Sequence, residues 1–244
     1  MKAMKIQLAC AIVAALGLTA CSTTQMQAVP SKEAAPAVNG AAILDGPPAM
    51  NSPVQQADEA QYQLGRTMRD TPRGKRAAVD ADLHHFKPLL ARYSETTGVE
   101  ITKENTPETY RLLEMAWPSI EQTMMPAKKK FNRSRPFITH TDDQTCRPDE
   151  YLKISKGSYP SGHTMRSWTV ALTLTALMPD LAEKILKEGY EIGESRWICG
   201  PHWKSDVEAG RILGAAVYAR ITGDSAFMTQ MQRAKDELKQ KRGK

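Results

Sequence analysis

The chain has 244 residues and carries 33 basic and 27 acidic side chains, which gives a formal net charge of +6 at pH 7. A surplus of this size, spread along the chain, excludes the concentrated basic stripe of a nucleic-acid-binding protein. The length is enough for one domain with a sizeable core.

The N-terminus has the pattern of a bacterial export signal. Two lysines precede an apolar run over residues 6–18, which is too short to span a bilayer comfortably, and small residues follow it. The segment Leu18-Thr19-Ala20-Cys21 resembles the lipobox of bacterial lipoproteins, and Ser22 after it favours the outer membrane. We predict a signal peptide over residues 1–20 and a periplasmic protein tethered to the outer membrane through lipidated Cys21. The alternative is an ordinary signal peptide with a chance cysteine.

Four cysteines are present, of which Cys10 would leave with the signal and Cys21 would carry lipid. Cys146 and Cys199 remain as an even pair in an exported protein, where disulfides persist. We predict that these two form a disulfide; two buried free thiols are the alternative. Without a C-x-x-C motif, a structural zinc site is not expected.

Residues 21–57 are rich in alanine, proline, serine and glutamine and show no apolar period, which predicts a tether. Residues 58–244 are predicted to form a single compact all-α domain. Helices should begin at Thr71-Pro72 and at Thr106-Pro107, because an N-cap residue precedes a proline at each place. A helix over Lys87 to Tyr93 should end at Gly98. Pro118 should end the helix that begins at Thr106-Pro107, and a further helix toward Phe131 should be interrupted near Pro126.

Three clusters combine positive charge with histidine. In the first, Lys128 and Arg135 are seven residues apart, which is two helical turns, so they should lie on about the same helix face. Pro136 places Arg135 at the helix exit. In the second, Ser161, Gly162 and His163 open a helix, where unpaired amides and the helix dipole suit a phosphate.

The third cluster is Ser195-Arg196 followed by His202 and Asp206. A histidine and an aspartate at i and i+4 lie on neighbouring turns, so the carboxylate can hold one imidazole nitrogen and leave the other free to attack.

Together, Lys-x6-Arg-Pro, Pro-Ser-Gly-His and Ser-Arg-x5-His-x3-Asp resemble the signature of the phosphatidic-acid-phosphatase type 2 superfamily. The segment Gly157-Ser158-Tyr159-Pro160-Ser161-Gly162-His163-Thr164 looks like the form found in class A bacterial non-specific acid phosphatases. Further similar segments extend the resemblance over about residues 44–237. The lipobox and the long tether depart from that class, whose members are usually soluble in the periplasm.

The resemblance implies a role for each motif residue. His202 would attack phosphorus to form a phosphohistidine, Asp206 would fix its tautomer, and His163 would protonate the departing oxygen and then activate water. The phosphate oxygens would be bound by Lys128, Arg135, Ser161, Gly162 and Arg196. No metal ion and no cofactor is expected, because fixed cations supply the positive charge.

We therefore expect a metal-independent acid phosphatase that hydrolyses small organic phosphomonoesters, with phosphotransfer to alcohols as a side reaction. A protonated His163 would give it an acidic optimum. The alternatives are a vanadate-dependent haloperoxidase, a lipid or polyprenyl phosphate phosphatase, and a lipoprotein that binds phosphate without turnover. The expected partners are small-molecule substrates, and no binding to nucleic acid is expected. Contact with a membrane is expected only through the lipid anchor, and the resemblance implies a possible homodimer. His84, His85 and His140 are interpreted as surface or packing residues.

Overall fold

The computed structural model describes residues 35–141, 145–147 and 157–243, which belong to one compact unit. Over these ranges the chain forms helices and no strand, so the all-α prediction is confirmed. The predicted signal peptide and Cys21 lie outside the described residues.

Ten α-helices lie in the described ranges. Their bounds are α1 Gly40–Ile43, α2 Pro53–Thr67, α3 Pro72–Val79, α4 Phe86–Thr97, α5 Pro107–Phe131, α6 Pro136–Thr139, α7 Gly162–Leu177, α8 Ala182–Cys199, α9 Lys204–Ile221 and α10 Ser225–Arg242. Short 3₁₀ turns at Asp80–His84 and Pro179–Leu181 join α3 to α4 and α7 to α8.

Helix α5 runs unbroken through Pro118 and Pro126, so the predicted breaks at these residues are wrong. A proline inside a helix removes one backbone hydrogen bond and crowds the preceding turn. Here the helix is packed along its length, and Leu112, Ala116 and Ile120 are almost fully buried. Tertiary packing of this kind outweighs the local preference of two residues.

The packed part of the chain begins before residue 58, where the sequence analysis placed the start of the domain. Ala35 and Leu44 are buried in the main hydrophobic cluster, and α2 begins at Pro53 with Ser52 as its side-chain cap. Helix α2 packs on α8 and α9. Part of the predicted tether therefore belongs to the folded domain.

Helix α7 lies in the middle of the fold and packs against α5, α8 and α9. Its buried face includes Met165, Val170 and Leu174. Because most of α7 is buried, its first turn is fixed in space by the neighbouring helices. Within the described ranges, none of the helices combines the length and the apolarity needed to cross a membrane.

Candidate active site

The three sequence clusters meet where α7 begins. Lys128, on the last turn of α5, donates to the carbonyls of Gly157 (2.5 Å) and Pro160 (2.7 Å), which lie in the loop before α7. The amide of Ser161 donates to the main-chain carbonyl of Asp206 (2.9 Å). These contacts bring the predicted site residues of all three motifs to one place.

Arg135 reaches the site by a different route from the one predicted. Helix α5 ends at Phe131, and Asn132 adopts a left-handed conformation with φ of 43°. Arg135 itself is extended (φ −81°, ψ 155°), as the residue before Pro136 must be. Lys128 and Arg135 therefore do not share a helix face; the chain leaves the helix and turns back.

The hydrogen bond between Arg135 and His202 defines the tautomer of the histidine ring. Nη1 of Arg135 lies 3.1 Å from Nε2 of His202, and a guanidinium can only donate, so Nε2 accepts and carries no proton. In the neutral ring the proton is then on Nδ1, which lies 3.4 Å from Oδ2 of Asp206. Burial lowers the pKa of His202 well below its ordinary value, and the cations of Arg135, Lys128 and Arg196 lower it further. His202 is therefore a neutral imidazole with a lone pair on Nε2.

Asp206 is fully buried and held from several sides. Its Oδ2 accepts from the amide of Trp203 (2.9 Å) and from the hydroxyl of Ser158, while Oδ1 accepts from Nη1 of Arg133 (2.6 Å). Because Asp206 is the third residue of α9, its carboxylate also caps the start of that helix. The carboxylate beside His202 is thus fixed before any substrate binds.

His163 is buried on the first turn of α7, and its Nε2 lies 2.9 Å from the carbonyl of Ala81. A carbonyl can only accept, so Nε2 carries a proton and Nδ1 is left to exchange one. Burial lowers the pKa of His163 well below its usual value; the charges of Arg196, His84 and His202 lower it further, and the bond to Ala81 opposes them.

Ser161 is the N-cap of α7, with its hydroxyl 3.0 Å from the hydroxyl of Thr164. Gly162 is the first residue of the helix, where the amides of the first turn have no intrahelical acceptor. A Cβ at Gly162 would lie 2.7 Å from the sulfur of Met124. A glycine thus lets Met124 of α5 approach the first turn of α7, where an anion is predicted to bind.

Lys128 and Arg196 are the two other cations that the sequence analysis placed in the site. Burial, with the nearby charge of Arg135, lowers the pKa of Lys128 to about 7. Arg196 is fully buried on α8, and the neighbouring Ser195 donates to Oδ2 of Asp80 (2.5 Å). Asp80 also pairs with Arg92 (2.6 Å), so the hydrogen bond of Ser195 ties the segment that carries Arg196 to a carboxylate that is itself held by an arginine.

The predicted disulfide between Cys146 and Cys199 is confirmed. Cys199 is the last residue of α8, and Gly200, with φ of 94°, ends the helix just before His202. The amide of Cys146 also donates to the carbonyl of Cys199 (3.0 Å). The disulfide therefore holds the turn that presents His202.

The sequence reasoning missed Arg133 and Asp58. Arg133 lies inside the Lys-x6-Arg-Pro motif at a position that the motif leaves open, and Asp58 lies in α2 with no local signal. His84 was interpreted as a surface or packing residue, yet its Nδ1 lies 3.0 Å from the same Ala81 carbonyl as His163. Its ring centroid lies 5.0 Å from that of His163. These residues lie near the site because of the way the chain folds, and no spacing in the sequence indicates it.

His140 does pack, as expected: its ring stacks on Tyr62 at 4.6 Å and its Nε2 lies 2.8 Å from Glu59. Among the residues that the structure describes, no group of three or more histidine, cysteine or carboxylate side chains is arranged to hold a metal ion.

These motifs on a helical fold define a PAP2-type site, and the PAP2 superfamily sequence model matches residues 115–230. The chain is 42% identical over 204 residues to a non-specific acid phosphatase of Providencia stuartii, covering 83% of this chain and 82% of that protein. It is 37% identical over 206 residues to a non-specific acid phosphatase of Salmonella typhi, covering 84% and 82%. The chain therefore belongs to the class A non-specific acid phosphatases of the PAP2 superfamily, and the expected class of phosphoric monoester hydrolase is confirmed.

A solved structure shares the fold. It is the crystal structure of a transmembrane PAP2-type phosphatidylglycerolphosphate phosphatase from Bacillus subtilis, with a TM-score of 0.50 and 20% sequence identity. The similarity covers 75% of this chain and 89% of that one. At this identity the match concerns the fold alone.

Proposed function

We propose that this protein hydrolyses small organic phosphomonoesters without a metal ion, through a phosphohistidine on His202. The observation that carries the proposal is the state of His202: Nε2 accepts from Arg135 (3.1 Å), and Nδ1 faces Asp206 (3.4 Å). A neutral imidazole oriented by a carboxylate is an activated nucleophile. Membership of the acid phosphatase family supports phosphomonoesters as the substrates.

Substrate binding uses fixed positive charge. Lys128, Arg135 and Arg196 surround the nucleophile closely enough for each to lower the pKa of His202. With Ser161 and the amide of Gly162, they would bind the non-bridging oxygens of the phosphoryl group. Phosphoryl transfer depends mainly on such positioning and charge stabilisation.

In the first step, the lone pair on Nε2 of His202 attacks phosphorus, and the bond from phosphorus to the ester oxygen breaks. His163 gives the proton on Nδ1 to that oxygen, so a neutral alcohol leaves. The imidazole of His202 gains positive charge, which the carboxylate of Asp206 stabilises through Nδ1. The product of this step is a phosphohistidine.

In the second step, Nδ1 of His163 takes a proton from water as the water oxygen attacks phosphorus. The bond between phosphorus and Nε2 of His202 breaks, and inorganic phosphate leaves. An alcohol that replaces water in this step would be phosphorylated instead. Phosphotransfer is therefore a side reaction of the same intermediate.

The acidic optimum depends on the charge that the substrate brings. In the free protein, burial and the charge of Arg196 hold the pKa of His163 well below its ordinary value. A bound phosphomonoester offsets the charge of Arg196 and raises the pKa of His163. Lower pH then favours the protonated acid that the first step requires.

The test is release of phosphate from a small aryl phosphate between pH 4 and 9 in excess EDTA, with His202→Ala measured beside the wild type. We expect turnover that is highest on the acidic side, survives chelation and disappears in the variant. Rapid quenching should trap a phosphoryl group that is stable to alkali and labile to acid. Activity lost to EDTA, or equal activity in the variant, would overturn the proposal.

We also propose that the protein is exported and held at the outer membrane by lipid on Cys21, which has the lipobox context described above. Small phosphomonoesters would then reach it in the periplasm, with the lipid as its one contact with the membrane. Fractionation of cells carrying wild type or Cys21→Ser tests this. The variant should leave the membrane fraction, and a wild-type protein found only in the soluble periplasm would contradict the anchor.

A further inference from the structure

Arg133 links the carboxylate of Asp206 to a second buried carboxylate, Asp58, which lies outside the three motifs. Its Nη1 donates to Oδ1 of Asp206 (2.6 Å), and its Nη2 donates to Oδ2 of Asp58 (2.8 Å). The Arg133 side chain is 8% exposed, so its charge is compensated by these two buried carboxylates rather than by water. One of them, Asp206, is the carboxylate beside His202.

Further contacts hold the guanidinium in a single orientation. Nη1 also donates to Oγ of Ser205 (2.8 Å), Nη2 donates to Oε1 of Gln55 (2.7 Å), and the group lies 5.3 Å from the ring of Trp203. The main-chain carbonyl of Arg133 accepts from the amide of Ser158 (3.0 Å). Arg133 is therefore fixed to α2, to the loop before α7 and to the start of α9.

Asp58 supports this arrangement from α2. It is 2% exposed, and its Oδ1 accepts from the amide of Ser205 (2.8 Å) while Oδ2 accepts from the Ser205 hydroxyl (2.5 Å). The carboxylate thus also satisfies an amide in the first turn of α9, the helix that carries Asp206. Helix α2 lies outside residues 115–230, which the superfamily model matches.

We propose that Arg133, held by Asp58, is a positioning residue for the nucleophile. It orients the Asp206 carboxylate so that Oδ2 stays beside Nδ1 of His202 while the phosphohistidine forms. This inference rests on the proposed function, since it assigns a role in phosphoryl transfer at His202. Arg133 itself touches neither the substrate nor the reacting atoms.

The physical reason is the charge that develops during the first step. His202 becomes positive as it attacks, and a carboxylate already aimed at Nδ1 stabilises that charge without having to reorient. Arg133 occupies the second oxygen of Asp206, so the carboxylate cannot turn. Mutating a residue that hydrogen-bonds to a reacting group's partner typically lowers activity by roughly 10–100-fold.

The experiment compares Arg133→Gln, Arg133→Lys and Asp58→Asn with wild type in the full chain. Lysine keeps the positive charge but lacks the planar fork that joins two carboxylates. Comparing Arg133→Lys with Arg133→Gln therefore distinguishes the effect of the charge from the effect of the bidentate geometry. Asp58→Asn is the milder change, and it tests the same arrangement if Arg133→Gln does not fold. Arg211→Gln is the matched control, because Arg211 also joins two carboxylates, Glu194 (2.6 Å) and Glu208 (2.7 Å).

For each variant, rapid quenching gives the rate of phosphoenzyme formation, and inorganic phosphate as a competitive inhibitor reports binding. We expect Arg133→Gln to form phosphoenzyme about 10–100-fold more slowly, with the inhibition constant of phosphate changed less than about threefold. Phosphate binding should persist because Lys128, Arg135 and Arg196 are intact. Arg133→Lys should fall between Arg133→Gln and wild type, and Arg211→Gln should match wild type.

The acid limb of the pH profile of kcat/KM gives a second readout, because it reports the pKa of His202 in the free enzyme. His202 is faced by the cations of Lys128, Arg135 and Arg196, by His163 and by the carboxylate of Asp206. Removing the Arg133 cation leaves the Asp206 charge less compensated, which raises the pKa of His202. The acid limb should therefore move to higher pH in Arg133→Gln. Asp58→Asn removes a negative charge instead, so its acid limb should move to lower pH.

A purely structural role would lower the amount of folded enzyme but leave the rate per active site and the acid limb unchanged. That result in Arg133→Lys and Asp58→Asn, with circular dichroism confirming folding, would overturn the inference. Failure of the proposed function has a different signature, since His202→Ala would then keep wild-type turnover and wild type would form no phosphoenzyme.

Discussion

The amide of Ser161 donates to the main-chain carbonyl of Asp206 at 2.9 Å. This bond joins the N-cap of α7, where phosphate is expected to bind, to Asp206, whose carboxylate faces the proposed nucleophile His202. The distance between the anion site and His202 is thus set by backbone rather than by flexible side chains. Helices α7 and α9 must lie close together for the bond to form.

Gly210 permits that close approach. A Cβ at this position would lie 2.7 Å from the carbonyl oxygen of Ser161 and 2.9 Å from Cβ of Thr164. We expect Gly210→Ala to push α9 away from α7, to destabilise the fold by about 1–3 kcal/mol and to lower kcat. Urea unfolding and steady-state kinetics measure both effects.

Gly223→Ala is the control for this prediction. Its added Cβ would meet only the carbonyl of Arg220, at an ordinary 3.5 Å, so stability and kcat should stay near wild type. Equal behaviour of the two variants would show that the close approach at Gly210 does not determine the site geometry.

Lys128 should link phosphate binding to pH. Its pKa is lowered to about 7 by burial and by Arg135, so above pH 7 the free protein has a neutral lysine that must take up a proton when a phosphate binds. Arginine stays protonated throughout this range. Inhibition by inorganic phosphate should therefore weaken between pH 7 and 9 more steeply in wild type than in Lys128→Arg, by up to about tenfold per pH unit. Parallel pH profiles would contradict this assignment.

His163 should matter most for esters with poor leaving groups. A general acid contributes typically about 10²–10⁴-fold when the departing oxygen needs a proton, and much less when that oxygen is already stable as an anion. We expect His163→Asn to lose far more activity toward an alkyl phosphate than toward p-nitrophenyl phosphate. The two kcat/KM ratios, measured side by side, test the role. A uniform loss would assign His163 to phosphate binding instead.

The disulfide should contribute strongly to stability. Cys146 and Cys199 are separated by 53 residues, and closing a loop of that length in the unfolded chain corresponds to about 4 kcal/mol in the chain-entropy model. The double variant Cys146→Ser, Cys199→Ser should unfold at correspondingly lower urea. Wild type with reductant should behave like the variant, and the variant should be insensitive to reductant. Full stability in both would show that the loop is held by other contacts.

Local sequence signals predicted the ends of helices well where a single residue determines where the helix begins or stops. Thr71 caps α3 through its side chain, and Gly98, with φ of 72°, ends α4. The break at Pro118 was wrong, because propensity describes a helix alone while α5 is packed into the core. The predicted helix face shared by Lys128 and Arg135 was wrong for a related reason, since the turn at Asn132 carries the chain out of the helix.

The sequence by itself determined the all-α class, the disulfide and the identity of the three motifs, because each depends on residue type and short spacing. Only the tertiary structure decided how those motifs meet, and it placed Asp58 and Arg133 behind Asp206. The two residues are 75 positions apart in the chain and 2.8 Å apart in space. A buried charge requires a partner in space, and short spacings along the chain carry no information about a partner that distant.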